Sequence, residues 1–149
     1  MSAAPPPRLA DLATARRLRA IHDQHDRLAL LCAELEAIAD DLPRACPQRC
    51  RRAADALGTL VPEHHASEIV VLRELLAADR PDLVDRIARQ HGEDEGLAGE
   101  IGHELEPIVA GGAADAPETL GYMLRCFFTS YRRAMLVEEL AIRAAAPAA

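Results

Sequence analysis

Prolines cut this chain into long stretches, and in each stretch apolar residues recur at helical spacing. From about Leu9 to Asp41 there is neither Pro nor Gly, and Leu18, Ile21, Leu28, Cys32 and Leu35 fall on one face of a helix. Pro43 and Pro47 end that segment. A second runs from about Gln48 to Ala78. Pro62 lies near its middle, where the ring removes a backbone donor and crowds the preceding turn, so a kink or a split is expected there. Ala78-Asp79-Arg80-Pro81 reads as a turn with Pro at a helix start. The third helix follows to about Val109, with Pro107 disturbing its last turn and Gly111-Gly112 ending it. Asp115-Ala116-Pro117-Glu118 supplies a capping Asp and an acidic first turn for a fourth helix, which continues to about Ala145.

Four long helices joined by short breaks, each with one apolar stripe to bury, predict an all-α fold: an up-down-up-down four-helix bundle over residues 9–146. Composition agrees. Half the residues are hydrophobic, Ala and Leu supply most of them, Trp is absent, and there are two Phe and two Tyr, a mix that favours helix over strand. Residues 1–8 include three consecutive prolines and read as a disordered tail.

The formal charge is −7, with acidic and basic residues interspersed. No basic stripe exists to follow a phosphate backbone, which argues against nucleic acid as a partner. No apolar run approaches the ~20 residues that a membrane-spanning helix needs, and the N-terminus lacks an apolar signal segment. The expected location is the cytoplasm, with Cys32, Cys46, Cys50 and Cys126 as reduced thiols. Cys46 and Cys50 lack the partner pair of a zinc site and read as small residues at a helix start.

The informative positions are those where a polar residue interrupts an apolar stripe, because such a group faces the bundle axis and must be paired or liganded. The second helix runs Leu57, Val61, His64, Glu68, Val71, Leu75, and the third Val84, Ala88, His91, Glu95, Ala98, Leu105. Each carries an inward His and, one turn on, an inward Glu. The first helix places His25 in its stripe, with His22 on a neighbouring face. The fourth runs Leu120, Leu124, Phe127, Tyr131, Ala134, Glu138, so a phenol and a carboxylate look inward. A carboxylate buried alone costs several kcal/mol or titrates to its neutral form. Several beside imidazoles fit a multivalent cation, and the mixture suits iron, manganese or zinc better than calcium or magnesium.

The segments His22-Asp23-Gln24-His25-Asp26-Arg27-Leu28, His64-His65-Ala66-Ser67-Glu68, Arg89-Gln90-His91 and Met135-Leu136-Val137-Glu138-Glu139 resemble the hemerythrin-like HHE cation-binding family over most of the chain. The resemblance implies two iron ions. His25, His64, Glu68, His91 and Glu138 would be ligands, with Glu68 and Glu138 bridging, and His65 would face outward or sideways. Where the family carries a fourth-helix His, one turn before the last Glu, this chain has Ala134. Glu95, Tyr131 and His22 are the groups near enough in sequence to compensate; a single iron, manganese or zinc ion is the reduced alternative.

By the same resemblance, the expected function is binding of dioxygen, nitric oxide or a related small oxidant, as carrier, sensor or iron-handling protein. Two alternatives stay open: an oxygen-activating di-iron carboxylate enzyme, and a regulatory or interaction bundle with a degenerate site.

Overall fold

The structure, a computed structural model, describes residues 9–146. The tail assigned to residues 1–8 lies outside the described residues. Those described are all helical outside the turns, in the order α1 (Leu9–Asp41), α2 (Pro47–Leu76), α3 (Pro81–Glu104), α4 (Glu106–Val109) and α5 (Pro117–Ala145). None of these helices is long and apolar enough to cross a membrane.

Proline sets three of the helix starts. Pro47, Pro81 and Pro117 each occupy the first helical position, where a missing N–H costs nothing. The expected cap at Asp115 does not form: the N-cap is Ala116, and no side chain accepts from the free N–H groups there. Pro62 does not split α2, which continues through it. The carbonyl that Pro62 leaves without an intrahelical donor belongs to Gly58, an exposed residue whose oxygen water can reach. Pro107 has a larger effect than a disturbed last turn. The third helix stops at Glu104 and a separate single turn, α4, restarts at Glu106 with Pro107 in its first positions. Gly111 then turns the chain with φ +94, a conformation other residues rarely adopt.

The four long helices form a bundle in which α2 packs against both α1 and α3, and α5 against both α1 and α3, while α4 covers the end of α2. The apolar interior is divided. The larger cluster is built around Leu28, Leu35, Val61, Ile101, Leu124 and Phe127, and the smaller around Ile21, Val71, Leu72, Val84, Ile87 and Ile142. Between them lies a layer of buried polar groups: His25, His64, His65, Glu68, His91, Asp94 and Glu138.

Phe127 is 1% exposed at the centre of the larger cluster. Its replacement by Ala should destabilise the fold by roughly 3–5 kcal/mol, read as a lower denaturant midpoint with little change in slope. Loss of less than about 1 kcal/mol would mean that this cluster does not hold the bundle together.

Candidate metal centre

Each long helix brings its polar residues to the layer by the register of its buried stripe. On α2 the buried positions are Val61, His64, His65, Glu68, Val71 and Leu72, two adjacent residues in alternate turns. A stripe this wide arises because α2 is contacted by helices on more than one side. His65 is therefore buried, 4% exposed; of the outward and sideways placements that the resemblance left open, the structure has the sideways one, with the ring turned toward α3 and α5. On α3 the buried positions step through Val84, Ile87, His91, Asp94, Ala98 and Ile101. Asp94 turns inward in place of Glu95, and Ile87 in place of Ala88. On α5, Tyr131, Met135 and Glu138 are buried, with Ala134 only half-buried.

Four of these side chains converge: ligand atoms of His25, His64, Glu68 and Glu138 all lie within 4.8 Å of one another. His91 approaches the same two carboxylates from α3. Glu68 presents Oε1 to His25 Nε2 at 3.4 Å, and Oε2 to His64 Nε2 at 3.1 Å and His91 Nε2 at 3.3 Å. Glu138 presents Oε2 to His25 Nε2 at 3.9 Å and Oε1 to His91 Nε2 at 3.3 Å. Each carboxylate thus has one oxygen toward His25 and the other toward His91.

Several of these atoms are close without being hydrogen-bonded. His25 Nε2, His64 Nε2 and both oxygens of Glu68 are buried with no aligned partner. A buried polar group left unsatisfied costs free energy, and four of them facing one another is the arrangement that a shared cation relieves. The tautomer of His64 fits the same role. Its Nδ1–H donates to Gln24 Oε1 at 2.9 Å, which leaves the Nε2 lone pair directed at the cluster. The donor set of imidazoles and carboxylates fits iron, manganese or zinc.

Charge in the layer is balanced by proton sharing. Burial alone raises a carboxyl, but His25, His64 and His91 hold Glu68 far below the usual carboxylate range. Glu138 goes the other way, pushed up to about 7 by burial and by the charge of Glu68, against the pull of His91. Burial lowers His91 and His25, yet the carboxylates outweigh it: His91 is pushed up to about 9 by Glu138 and Glu68, and His25 is raised chiefly by Glu68.

His65 belongs to a neighbouring arrangement. Its ring stacks on that of His91, centroids 3.9 Å apart and planes within 3°. Nδ1–H donates to Glu95 Oε1 at 2.8 Å, and Nε2 accepts from the Tyr131 hydroxyl at 2.9 Å. Burial and the adjacent charge of His91 bring His65 down to about 4, so it stays neutral in this role.

Of the eight residues proposed from sequence as donors, five meet at the two carboxylates: His25, His64, Glu68, His91 and Glu138. The other three do not. The Glu95 carboxylate is 43% exposed and bound to His65. Tyr131 is buried, but its hydroxyl is spent on His65. His22 is 60% exposed and pairs with Glu139 at 3.6 Å across the α1/α5 surface. Sequence reasoning also passed over Gln24 and Asp94. Asp94 accepts from Gln90 Nε2 at 3.0 Å, while its Oδ2 is buried without a partner and burial raises its carboxyl. Its signal was available in the α3 stripe, where a step of three from His91 lands on it. Gln24 gave none, since it lies beside the α1 stripe and is only half-buried.

The family model described as the hemerythrin HHE cation binding domain matches residues 16–145. No curated protein and no solved structure matches the chain.

Replacing His65 by Ala should leave the Tyr131 hydroxyl buried without an acceptor and remove the ring stacked on His91. The expected cost is about 2 kcal/mol in urea unfolding of the metal-free protein. Glu95→Ala, at an exposed position, should cost less than about 1 kcal/mol. Equal effects of the two would contradict the placement of His65 in the interior.

Proposed function

Because this chain belongs to the hemerythrin HHE cation-binding domain family, we propose that its buried His/Glu cluster holds two iron ions and that the protein binds dioxygen, nitric oxide or a related small oxidant there. One observation carries the reading: Glu68 and Glu138 each turn one oxygen toward His25 and the other toward His91. Two carboxylates oriented in that way suit a pair of cations better than one.

In this reading His25, His64, His91, Glu68 and Glu138 would hold the pair, with His64 and His91 both meeting Glu68 at Oε2 and His25 meeting it at Oε1. Bound iron supplies reversible electron transfer and an open coordination position for a small ligand. The protein does the rest. Gln24 fixes the His64 tautomer. The two apolar clusters close the layer above and below, keeping bulk water from the donors. His65 remains uncharged against His91, so it adds no second positive charge to a site that must accept cations.

The up-down-up-down arrangement is part of the proposal. Its support is the order in which each helix meets the three layers. The chain passes from Ile21 through His25 to Leu28 on α1, and from Val61 through Glu68 to Val71 on α2. It then passes from Ile87 through His91 to Ala98 on α3, and from Tyr131 through Glu138 to Ile142 on α5. Small cluster to large alternates with large to small. Four free cysteines fit a reducing cytoplasm, which we include in the proposal.

Protein produced with ample iron should carry about two irons per chain by elemental analysis, and His64→Ala or Glu68→Ala should remove most of that metal. Gln24→Leu, which frees the His64 tautomer, should weaken metal affinity roughly tenfold or more in competition with a chelator. A metal-free wild type would refute the centre, and a single iron would refute the two-ion assignment. Anaerobic reduction followed by dioxygen or nitric oxide should change the visible spectrum of the wild type and not of Glu68→Ala.

A further inference from the structure

Ala134 leaves a space on the α3/α5 side of the polar layer. A cavity of about 240 Å³ opens there, lined by Leu83, Ile87 and Val137 along its walls and bounded by Ala134 and Glu138. At its rim stand Arg86 and Arg133, which face it from opposite helices. Both are exposed, and neither guanidinium takes part in an ion pair or hydrogen bond among the described residues. In a chain whose net charge is −7, two uncommitted guanidinium groups at one opening are a local excess of positive charge.

We propose that this cavity binds a small organic monocarboxylate. The size of the space is below the range that holds drug-sized ligands, which limits the occupant to a short molecule. The chemistry of the walls orients it. An anionic head is attracted by Arg86 and Arg133 at the opening, so it sits at the rim. The apolar end then lies against Leu83, Ile87 and Val137 and points toward Ala134. A side chain larger than Ala at position 134 would occupy the space that this end needs, which makes Ala134 the residue that sets ligand size. The proposal deepens the function given above, because it brings an organic molecule up to Glu138; the binding itself requires no metal.

The test uses butyrate as the probe, with butanol and butylamine as uncharged and cationic controls of similar length. Binding is followed by chemical-shift perturbation of the full chain in metal-free and iron-loaded forms, with metal content measured on the same samples. Butyrate should bind saturably and perturb amides near Ile87, Ala134 and Val137, while the controls should bind at least about fivefold more weakly. Arg86→Ala and Arg133→Ala, both at exposed positions, should each weaken butyrate about fivefold, and Ala134→Phe should abolish binding while metal content stays at the wild-type level. Butanol or butylamine binding as tightly as butyrate, or undiminished butyrate binding to Ala134→Phe, would overturn the proposal. Butyrate bound in this way by a chain that takes up no iron would support the cavity while refuting the metal reading, so the two fail separately.

Discussion

Two carboxylates buried within reach of each other govern the interior of this protein. Glu68 is fully buried and Glu138 is 4% exposed, and apolar clusters lie on both sides of them. Negative charge cannot stay in such a place without compensation, because both desolvation and mutual repulsion oppose it. In the metal-free chain the compensation comes from protons. His25 and His91 are raised toward their charged forms, and Glu138 is raised toward neutrality. A metal cation held there would supply the same compensation without the misaligned contacts that leave both Glu68 oxygens unsatisfied. The register of every long helix serves this layer, since each contributes at least one member of it.

That arrangement asks for helices whose buried stripes are interrupted at one common depth. Short breaks at proline-marked starts set the helices side by side, and the interruptions fall at His25, at His64 with Glu68, at His91 with Asp94, and at Glu138. The division of the apolar core into two clusters is the other side of the same fact. The polar layer costs the core its continuity, and each cluster must then be tight enough to hold its own end of the bundle. Phe127 and Leu124 do this in the larger cluster, Val71 and Leu72 in the smaller.

Much of this was legible in the sequence, and the parts that were not have identifiable causes. The four long helices followed from proline placement and apolar spacing. His25, His64, Glu68, His91 and Glu138 followed from interruptions of the stripes, and the family resemblance assigned them to a metal. An inward Glu95 is out of phase with α3: from His91 the inward path takes a step of three, to Asp94, and a step of four is just as compatible with one isolated stripe. An outward His65 would need a buried face of α2 only one residue wide, whereas neighbours on both sides bury two adjacent positions. The break at Leu105 and the missing cap at Asp115 are local backbone matters that periodicity does not reach. Gln24 was invisible for a further reason. Its importance lies in the His64 nitrogen that it occupies, a contact between two helices that no spacing within one helix encodes.

The two sides of the centre are unequal, and the inequality has a structural origin. On the side of α1 and α2, His25 and His64 both direct a ring nitrogen at the carboxylates, and Gln24 holds the second in place. On the side of α3 and α5, His91 alone does so, because Ala134 carries no donor and Glu95, at an exposed position of α3, is bound to His65. His65 and Tyr131 occupy the adjoining space but satisfy each other, so they stiffen the position of His91 without adding to its donors. The donor-poor side is also the side on which the α3/α5 cavity reaches Glu138. The α3/α5 side thus offers fewer donors than the α1/α2 side, and the space beside it stands open. Ala134 bears on both features at once: it offers no donor to the layer, and its small side chain leaves the space beside Glu138 open.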